Sequence, residues 1–597
     1  MTAYAAPVRD MRFVLEHLCA IGETALLPGL EEATPDLVAA VLEEAGRLAS
    51  EVLAPINHAG DRQGARLEDG IVRTPDGWKH AYDTFVEGGW VGAVFDPAYG
   101  GMGLPWVVNA AIQEMIQAAN MSFALCPMLT QSAIEAILMN ASDALRRRYV
   151  ANMVSGRWTG TMNLTESQAG SDLGAIRARA ERDGDHYRIY GQKIFITYAD
   201  HDLAENVIHL VLARIADAPA GVKGISLFVV PKILVGDDGA LGARNDVHVV
   251  SLEHKLGIHA SPTAIVSFGD GRGAVGYLVG EENRGLAYMF VMMNLARLVV
   301  GLQGLGISDR AYQQARDYAR ERVQGQPIGG DGADRRTIIE HADVRRMLMT
   351  MKASVEAMRA VAYLAARSID FAHRHPDAAV RAHHQARLDL LTPVVKGWCT
   401  ELSVELTSLG VQIHGGMGYV EETGACQHFR DARITPIYEG TTGIQAQDLV
   451  GRKILRDGGA AVRDLIAEMR AIDGELASNR DPDCLNVRRA VNEGIDAFAA
   501  AVDWLLDVAD RDPRLPAAAS VPVLELAGTV VGGWLMAKAL LVAKARIAAG
   551  DDDAGFLEAK VATARFYADH ILPQAKALGE IVVRGSESVM ALDAEQF

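Results

Sequence analysis

The sequence predicts a multidomain α+β chain that runs helical, then all-β, then helical again. Three observations predict it. Apolar residues recur at three- and four-residue spacing from about Asp36 to Ser155, as one face of a helix requires. From Gly160 to Gly280 that spacing gives way to short runs rich in β-branched and aromatic residues, separated by Gly, Asp and Pro. At Gly285 the helical spacing returns. A chain of 597 residues is also too long for one ordinary core.

Leu37, Ala40, Val41 and Leu42 open the first helical run, and Tyr99-Gly-Gly-Met-Gly103 marks a tight loop within it. His186-Tyr-Arg-Ile-Tyr190, Val207-Ile-His-Leu-Val211 and Ile225-Ser-Leu-Phe-Val-Val230 read as strands. Leu286, Met289, Phe290, Met293 and Arg297 then step along one helix, and helical spacing persists to about Arg456. Pro327 to Gly332 reads as a loop between two helices. Further on, Val491, Ile495, Phe498, Val502, Leu505 and Val508 form an apolar stripe expected to be core. The expected division is an N-terminal extension at 1–35 and a helical domain at 36–158. A β domain at 159–281, a helical domain at 282–457 and an added helical domain at 458–597 follow.

A net charge of −18 disfavours general nucleic-acid or anionic-membrane binding, which needs a basic footprint. Five cysteines without CxxC spacing indicate neither a zinc site nor a disulfide framework, so no metal is expected and a reducing cytoplasm fits. Arg9, Asp10 and Arg12 precede any apolar run, unlike a signal peptide, and the terminal Ala-Glu-Gln-Phe is no peroxisomal address. Val521 to Val542 is the most membrane-like stretch, but Glu525 and Lys538 interrupt it, so no membrane span is expected.

Three segments carry the chemistry. Arg433-Ile-Thr-Pro-Ile-Tyr-Glu-Gly-Thr-Thr442 places Glu439 just ahead of a glycine, which lets backbone approach a ligand closely. Upstream lie Val411-Gln-Ile-His-Gly-Gly-Met-Gly-Tyr419 and Leu164-Thr-Glu-Ser-Gln-Ala-Gly-Ser-Asp172. In this order they resemble the signature of the acyl-CoA dehydrogenase family of flavoproteins, over roughly Ala40 to Lys453. The resemblance implies that family's fold: an N-terminal helical domain, a middle β-barrel or sheet domain and a C-terminal four-helix bundle. The segment Ala6-Pro-Val-Arg-Asp-Met-Arg-Phe13 and the long C-terminal extension resemble the longer members, typified by 3-methylmercaptopropionyl-CoA dehydrogenase.

Oxidising a saturated acyl thioester needs a base for the weakly acidic α-proton, an acceptor for the β-hydride, and donors to the thioester oxygen. No side chain accepts a hydride, so a flavin must. The resemblance makes Glu439 the base. Some relatives carry the base just before Arg297, but here that residue is Ala296, which takes no proton. For FAD, the resemblance implies Met162, Leu164 and Thr165 at the ring edge, and Ser171 at the pyrophosphate or the acyl-CoA entrance. Phe195 would cover the ring in place of the family's tryptophan, keeping a flat apolar face without the indole donor. Thr197 would bond the reactive nitrogen. Arg322 would hold the diphosphate from a partner subunit, since its fork suits phosphate oxygens, although the motif around it departs from the family's. Gln412, Gly415 and Gly416 would complete that intersubunit site, with Thr441 and Gly443 closing over the cofactor. Asn294, where the family commonly has Asp, joins Arg297, Tyr438, Gly440 and Ser171 as the substrate contacts implied. His414 is expected to pack.

These expectations describe an FAD-dependent enzyme that converts an acyl-CoA to the trans-2-enoyl-CoA and passes electrons to an electron-transferring flavoprotein. It would be a homodimer taking 3-(methylthio)propanoyl-CoA to 3-(methylthio)acryloyl-CoA. A medium- or long-chain acyl-CoA dehydrogenase and an acyl-CoA oxidase are the nearest alternatives. A DNA-associated relative of the alkylation response would need a basic C-terminal domain. Residues 456–597 carry 15 basic and 23 acidic side chains, which disfavours it.

Overall fold

The computed structural model describes residues 3–329 and 335–597, so the end of the loop expected at Pro327 to Gly332 lies outside the described residues. A small hairpin comes first, β1 (Arg66–Glu68) with β2 (Ile71–Arg73). The remaining strands are β3 (Trp158–Asn163), β4 (Arg179–Asp183), β5 (His186–Thr197), β6 (Asn206–Ile215), β7 (Ile225–Pro231), β8 (Ile233–Val235), β9 (Leu241–Arg244), β10 (Val247–Leu252), β11 (Thr263–Phe268) and β12 (Ala274–Leu278). Eight of them form one sheet in the order β10-β11-β5-β12-β7-β6-β3, with β4 pairing β5 and β6. The three expected strands fall in β5, β6 and β7. Their apolar positions, including Ile189, Val211, Phe228 and Val230, meet Val266 and Phe268 in one buried cluster.

Helical spacing from Asp36 to Ser155 missed the β1–β2 hairpin. Its turn residues Asp69 and Gly70 have φ of 52° and 75°, the left-handed pair of a two-residue hairpin loop that Asp-Gly favours. Three-residue strands are too short to disturb a helical pattern read over longer windows.

The chain divides into two compact units that are discontinuous in sequence. One comprises residues 47–104 and 119–296, and so carries the eight-stranded sheet. The other comprises residues 1–46, 105–118 and 297–597. The switch at 118–119 lies beside Asn120, whose φ of −159° and ψ of 88° break the helix Trp106–Asn140.

Within the second unit, the helices Ala342–Arg374 and Ala378–His414 pack along each other, and Arg514–Ala548 packs against both. The approach to Ala378–His414 is close. A Cβ on Gly528 would lie 2.3 Å from the Trp398 ring, so only glycine fits there. The stripe expected on the extension is buried along the helix Pro482–Val508. The helices Trp106–Asn140, Gly285–Glu321 and Arg514–Ala548 are long and apolar enough to cross a membrane, where the sequence reading allowed none. Their most apolar windows are 89%, 61% and 83% buried, which accounts for the apolarity by packing.

The N-terminal segment is tied into the same unit by a buried ionic cluster. Arg359, 2% exposed, donates to Glu114 at 3.0 Å through Nε and also pairs with Asp10. Tyr363 donates to Glu114 at 2.6 Å. Lys560, on the helix Ala554–Phe566, pairs with Asp10 and lies 2.9 Å from Glu356. Asp10 belongs to the Ala6–Phe13 segment, so one aspartate joins both extensions to the central helices.

Candidate functional site

The expected site residues fall into two groups, one in each unit. In the sheet unit, Met162 lies on β3, and the chain then turns through Leu164 and Thr165 toward β5. The Thr165 carbonyl accepts from the Ile194 N–H at 2.9 Å, so the turn is tied beside Phe195. A buried ion pair fixes it from below. Lys193 Nζ donates to Glu166 at 2.8 Å and to the Leu164 carbonyl at 2.9 Å. Glu166 also accepts from the Arg177 and Ala178 N–H groups. Burial pushes Lys193 down to about 8, opposed by the Glu166 charge.

Phe195 is the conformational outlier of this group. Its φ is +59°, it is 58% exposed, and the β5–β11 register shifts between Lys193 and Ile196. A bulge re-aims a side chain, and here it turns a large aromatic ring out of the sheet. Thr197 closes β5, half-buried opposite Thr263. Ser171 and Asn294 are exposed. Among the described residues, the Thr165, Ser171 and Thr197 side-chain hydroxyls make no hydrogen bond.

In the other unit, Glu439 sits half-buried in the turn between the helices Ala425–Ala432 and Thr442–Gln447. Its φ is +55°, a left-handed value that costs a non-glycine residue roughly 1–2 kcal/mol. The turn is held on several sides. Gln445 donates to the Glu439 carbonyl at 3.1 Å, and Tyr438 donates its hydroxyl to Gln303. Gln303 in turn donates to Gln117 at 3.2 Å. Thr441 caps the following helix through the Ile444 N–H, and a Cβ on Gly440 would lie 2.6 Å from Gln445. Gly443 follows inside that helix.

Burial pushes the Glu439 carboxyl up to about 7, while Arg297 and Lys396 draw it back down. Arg297 is buried and lies 3.5 Å from Asp448. A carboxyl with a pKa near neutrality is suited to taking a proton from carbon at physiological pH.

Further away, Gln412 lies in the last turn of the helix Ala378–His414, and Gly415 and Gly416 follow that helix, all three exposed. Gly415 has φ +60°, and a Cβ on either glycine would meet nothing within 4 Å, so their backbone faces open space. His414 packs, stacked 4.4 Å from Tyr318 and bonded to the Gly410 carbonyl. Arg322 is exposed just after the helix Gly285–Glu321. The structure thus groups Glu439, Tyr438, Gly440, Thr441 and Arg297, and separately Thr165, Phe195 and Thr197.

Sequence reasoning missed Lys193, Lys396 and Gln303. Each is a long polar residue whose side chain is fully buried. A signal existed for Lys396, the single charge in the apolar run Leu390-Leu-Thr-Pro-Val-Val-Lys-Gly-Trp398.

In the sheet unit, an exposed ring beside uncommitted hydroxyls suits a flat, polar-edged ligand; in the other unit, a near-neutral carboxyl on a strained turn suits proton transfer. Comparison with known proteins agrees on the class. The family model described as "Acyl-CoA dehydrogenase, N-terminal domain" matches residues 38–157, the middle-domain model 161–270, and the C-terminal-domain model 283–455. "Acetyl-CoA dehydrogenase C-terminal like" matches 461–593. The chain is 50% identical to a 3-methylmercaptopropionyl-CoA dehydrogenase of Ruegeria pomeroyi, across 96% of this chain and 97% of that one. It is 34% identical to a butyryl-CoA dehydrogenase of Syntrophomonas wolfei, across 96% and 95%. The crystal structure of Caenorhabditis elegans ACDH-11 shares its fold with a TM-score of 0.73 at 22% identity, across 98% and 96% of the two chains. With matches running through both extensions, the chain belongs to the acyl-CoA dehydrogenase family of oxidoreductases, among its long members.

Proposed function

We propose that this enzyme dehydrogenates 3-(methylthio)propanoyl-CoA to 3-(methylthio)acryloyl-CoA, a trans-2-enoyl thioester, and works in the cytoplasm. The observation that carries the reaction is Glu439, a carboxyl pushed up to about 7 on a strained turn. The 50% identity to the Ruegeria enzyme supports the thioether substrate.

Glu439 takes the α-proton, and its own backbone N–H donates to the thioester oxygen as negative charge builds there. Arg297, Asn294, Tyr438, Gly440 and Ser171 orient the acyl-CoA. Met162, Leu164, Thr165, Ser171, Phe195 and Thr197 would hold the ring system and pyrophosphate of FAD. Thr441, Gly443, Arg322, Gln412, Gly415 and Gly416 would complete its site. When bound, FAD supplies the acceptor for the β-hydride, and an electron-transferring flavoprotein takes the electrons onward. The division at 1–35, 36–158, 159–281, 282–457 and 458–597 is our proposal for its functional segments.

Turnover of acyl-CoAs of graded length, with an electron-transferring flavoprotein as acceptor, tests the reading. The thioether substrate is expected to give the highest kcat/KM. A maximum at medium or long chains would replace that substrate. Rapid reoxidation by oxygen alone would make the enzyme an oxidase.

Gln412, Gly415 and Gly416 are proposed to serve a neighbouring subunit's cofactor, which requires at least a dimer. Met417, Tyr419 and Val420 beside them are 49%, 87% and 38% exposed, an apolar surface consistent with a partner there. Light scattering is expected to give the mass of a homodimer. A monomer would remove the intersubunit role, and a tetramer would mean that the C-terminal extension leaves the second pairing face open.

A further inference from the structure

We infer that Lys396 is a positioning residue for the proton-abstraction step: its buried ammonium clamps the two ends of the turn that carries Glu439 and favours the ionised form of this carboxylate. The inference rests on Glu439 being the base.

Lys396 is 0% exposed, midway along the helix Ala378–His414. Its Nζ donates to the Thr435 carbonyl at 2.8 Å and to the Gly440 carbonyl at 2.7 Å. These acceptors lie four residues before Glu439 and one residue after it, so a single cation gathers both ends of the segment. A left-handed backbone at a non-glycine residue persists only where its surroundings over-determine it. The clamp does this together with Gln445, which donates to the Glu439 and Gly440 carbonyls, and with the Thr442 N–H to Pro436 carbonyl bond. Removing the ammonium leaves the buried Thr435 carbonyl and the half-buried Gly440 carbonyl without that donor and frees the turn to relax away from φ +55°. The carboxylate and the backbone N–H of Glu439 would then be displaced together.

The second effect is electrostatic. The charged groups acting on Lys396 are Glu439 on the turn, Arg297 on the helix Gly285–Glu321, and Glu401 one turn along its own helix. Asp448 lies beyond Arg297, while Glu525 of the helix Arg514–Ala548 acts on Glu401 and Glu405. Burial pulls Lys396 down to about 7, against the Glu439 and Glu401 carboxylates, which push it up, while Arg297 adds to the lowering. Two carbonyl acceptors suit the ammonium form. That charge stabilises the ionised Glu439, so removing it moves the Glu439 pKa further up.

A merely structural lysine would change folding or flavin content and leave the pH dependence per active site alone. The test compares wild type, Lys396→Gln, Lys396→Arg and Glu439→Gln as flavin-loaded enzymes. It measures flavin per chain, melting temperature, and kcat/KM against pH from about 5.5 to 9. Glutamine keeps an amide N–H₂ donor and loses the charge. Its kcat per flavin is expected to fall roughly 10- to 100-fold, and its acid limb to move toward higher pH by about one unit. Arginine keeps the charge and is expected to hold the limb at its wild-type pH with a smaller loss of rate. An unshifted limb in Lys396→Gln, or a limb equally shifted in Lys396→Arg, overturns the electrostatic role. Unchanged kcat per flavin in Lys396→Gln overturns the clamp. Should Lys396→Gln not fold, Lys396→Met takes its place as the uncharged variant: an acid limb moved toward higher pH supports the role and an unshifted one overturns it. Activity in Glu439→Gln removes the base itself, an outcome read independently of either lysine variant.

Discussion

Glu439→Gln is expected to lower turnover by roughly 10²–10⁴, the usual worth of a positioned general base, while flavin content stays as in wild type. The isosteric amide keeps the turn and the backbone N–H proposed to meet the thioester, so binding of acyl-CoA should change little. The loss should therefore fall on kcat rather than KM. A pH profile separates this base from a bystander. Burial raises the Glu439 carboxyl to about 7, against the pull of Arg297 and Lys396. The base works when deprotonated, so wild-type kcat/KM should rise with pH through about 7 and level above it. The variant should show no such limb. Near-normal turnover in the variant would remove Glu439 from the chemistry. So would a wild-type limb far below 7, because no other carboxyl is proposed there.

Much of the fold, and the turn that carries Glu439, was legible in the sequence, and the parts that were not share a cause. The Glu439 turn was found because Tyr-Glu-Gly-Thr-Thr is a local string, and its neighbours Gly440 and Thr441 do local jobs, a close approach and a helix cap. Strands β5 to β7 were found because short runs rich in β-branched and aromatic residues, set between turn residues, declare strands. The β1–β2 hairpin was missed even though Asp69-Gly70 is a hairpin dipeptide, since three residues per strand give no period to read. Lys396, Lys193 and Gln303 were missed for a different reason. Each acts by reaching partners 27 to 186 residues away, and spacing along the chain holds no trace of that. The Ala6–Phe13 segment was noticed as a mark of long relatives, yet its physical task lies in Asp10, which meets residues more than 300 positions later. Local chemistry is written in the string; buried long-range pairing becomes visible only on folding.

That pairing supplies the second large effect, which concerns stability. Arg359→Met should destabilise the protein by about 3–5 kcal/mol, the usual cost of removing one partner from a buried ionic cluster. Methionine fills much of the same volume, so the loss is electrostatic rather than a cavity. Glu114, 0% exposed, would keep the Tyr363 hydroxyl but lose its guanidinium, and Asp309 would lose a cation 3.7 Å away. Burial already raises Glu114 and Asp309, and without Arg359 both should rise further and become protonated. Asp10 behaves in the opposite sense. Burial opposes its charge, but Lys560 and Arg359 outweigh that and hold it well below the usual carboxylate range. A depressed carboxyl contributes stability above its unfolded pKa, about 4, and that contribution is lost as pH falls. In the variant the Asp10 share should shrink at neutral pH, because one of its two nearest cations is gone. The structural consequence is specific, since Asp10 carries the N-terminal segment and Lys560 the helix Ala554–Phe566. Hydrogen exchange should quicken together in residues 8–13 and 554–566, ahead of the sheet in 158–278. A lower melting temperature with exchange confined to residues around 359 would reduce the cluster to a local pair, and an unchanged melting temperature would show that it adds no stability.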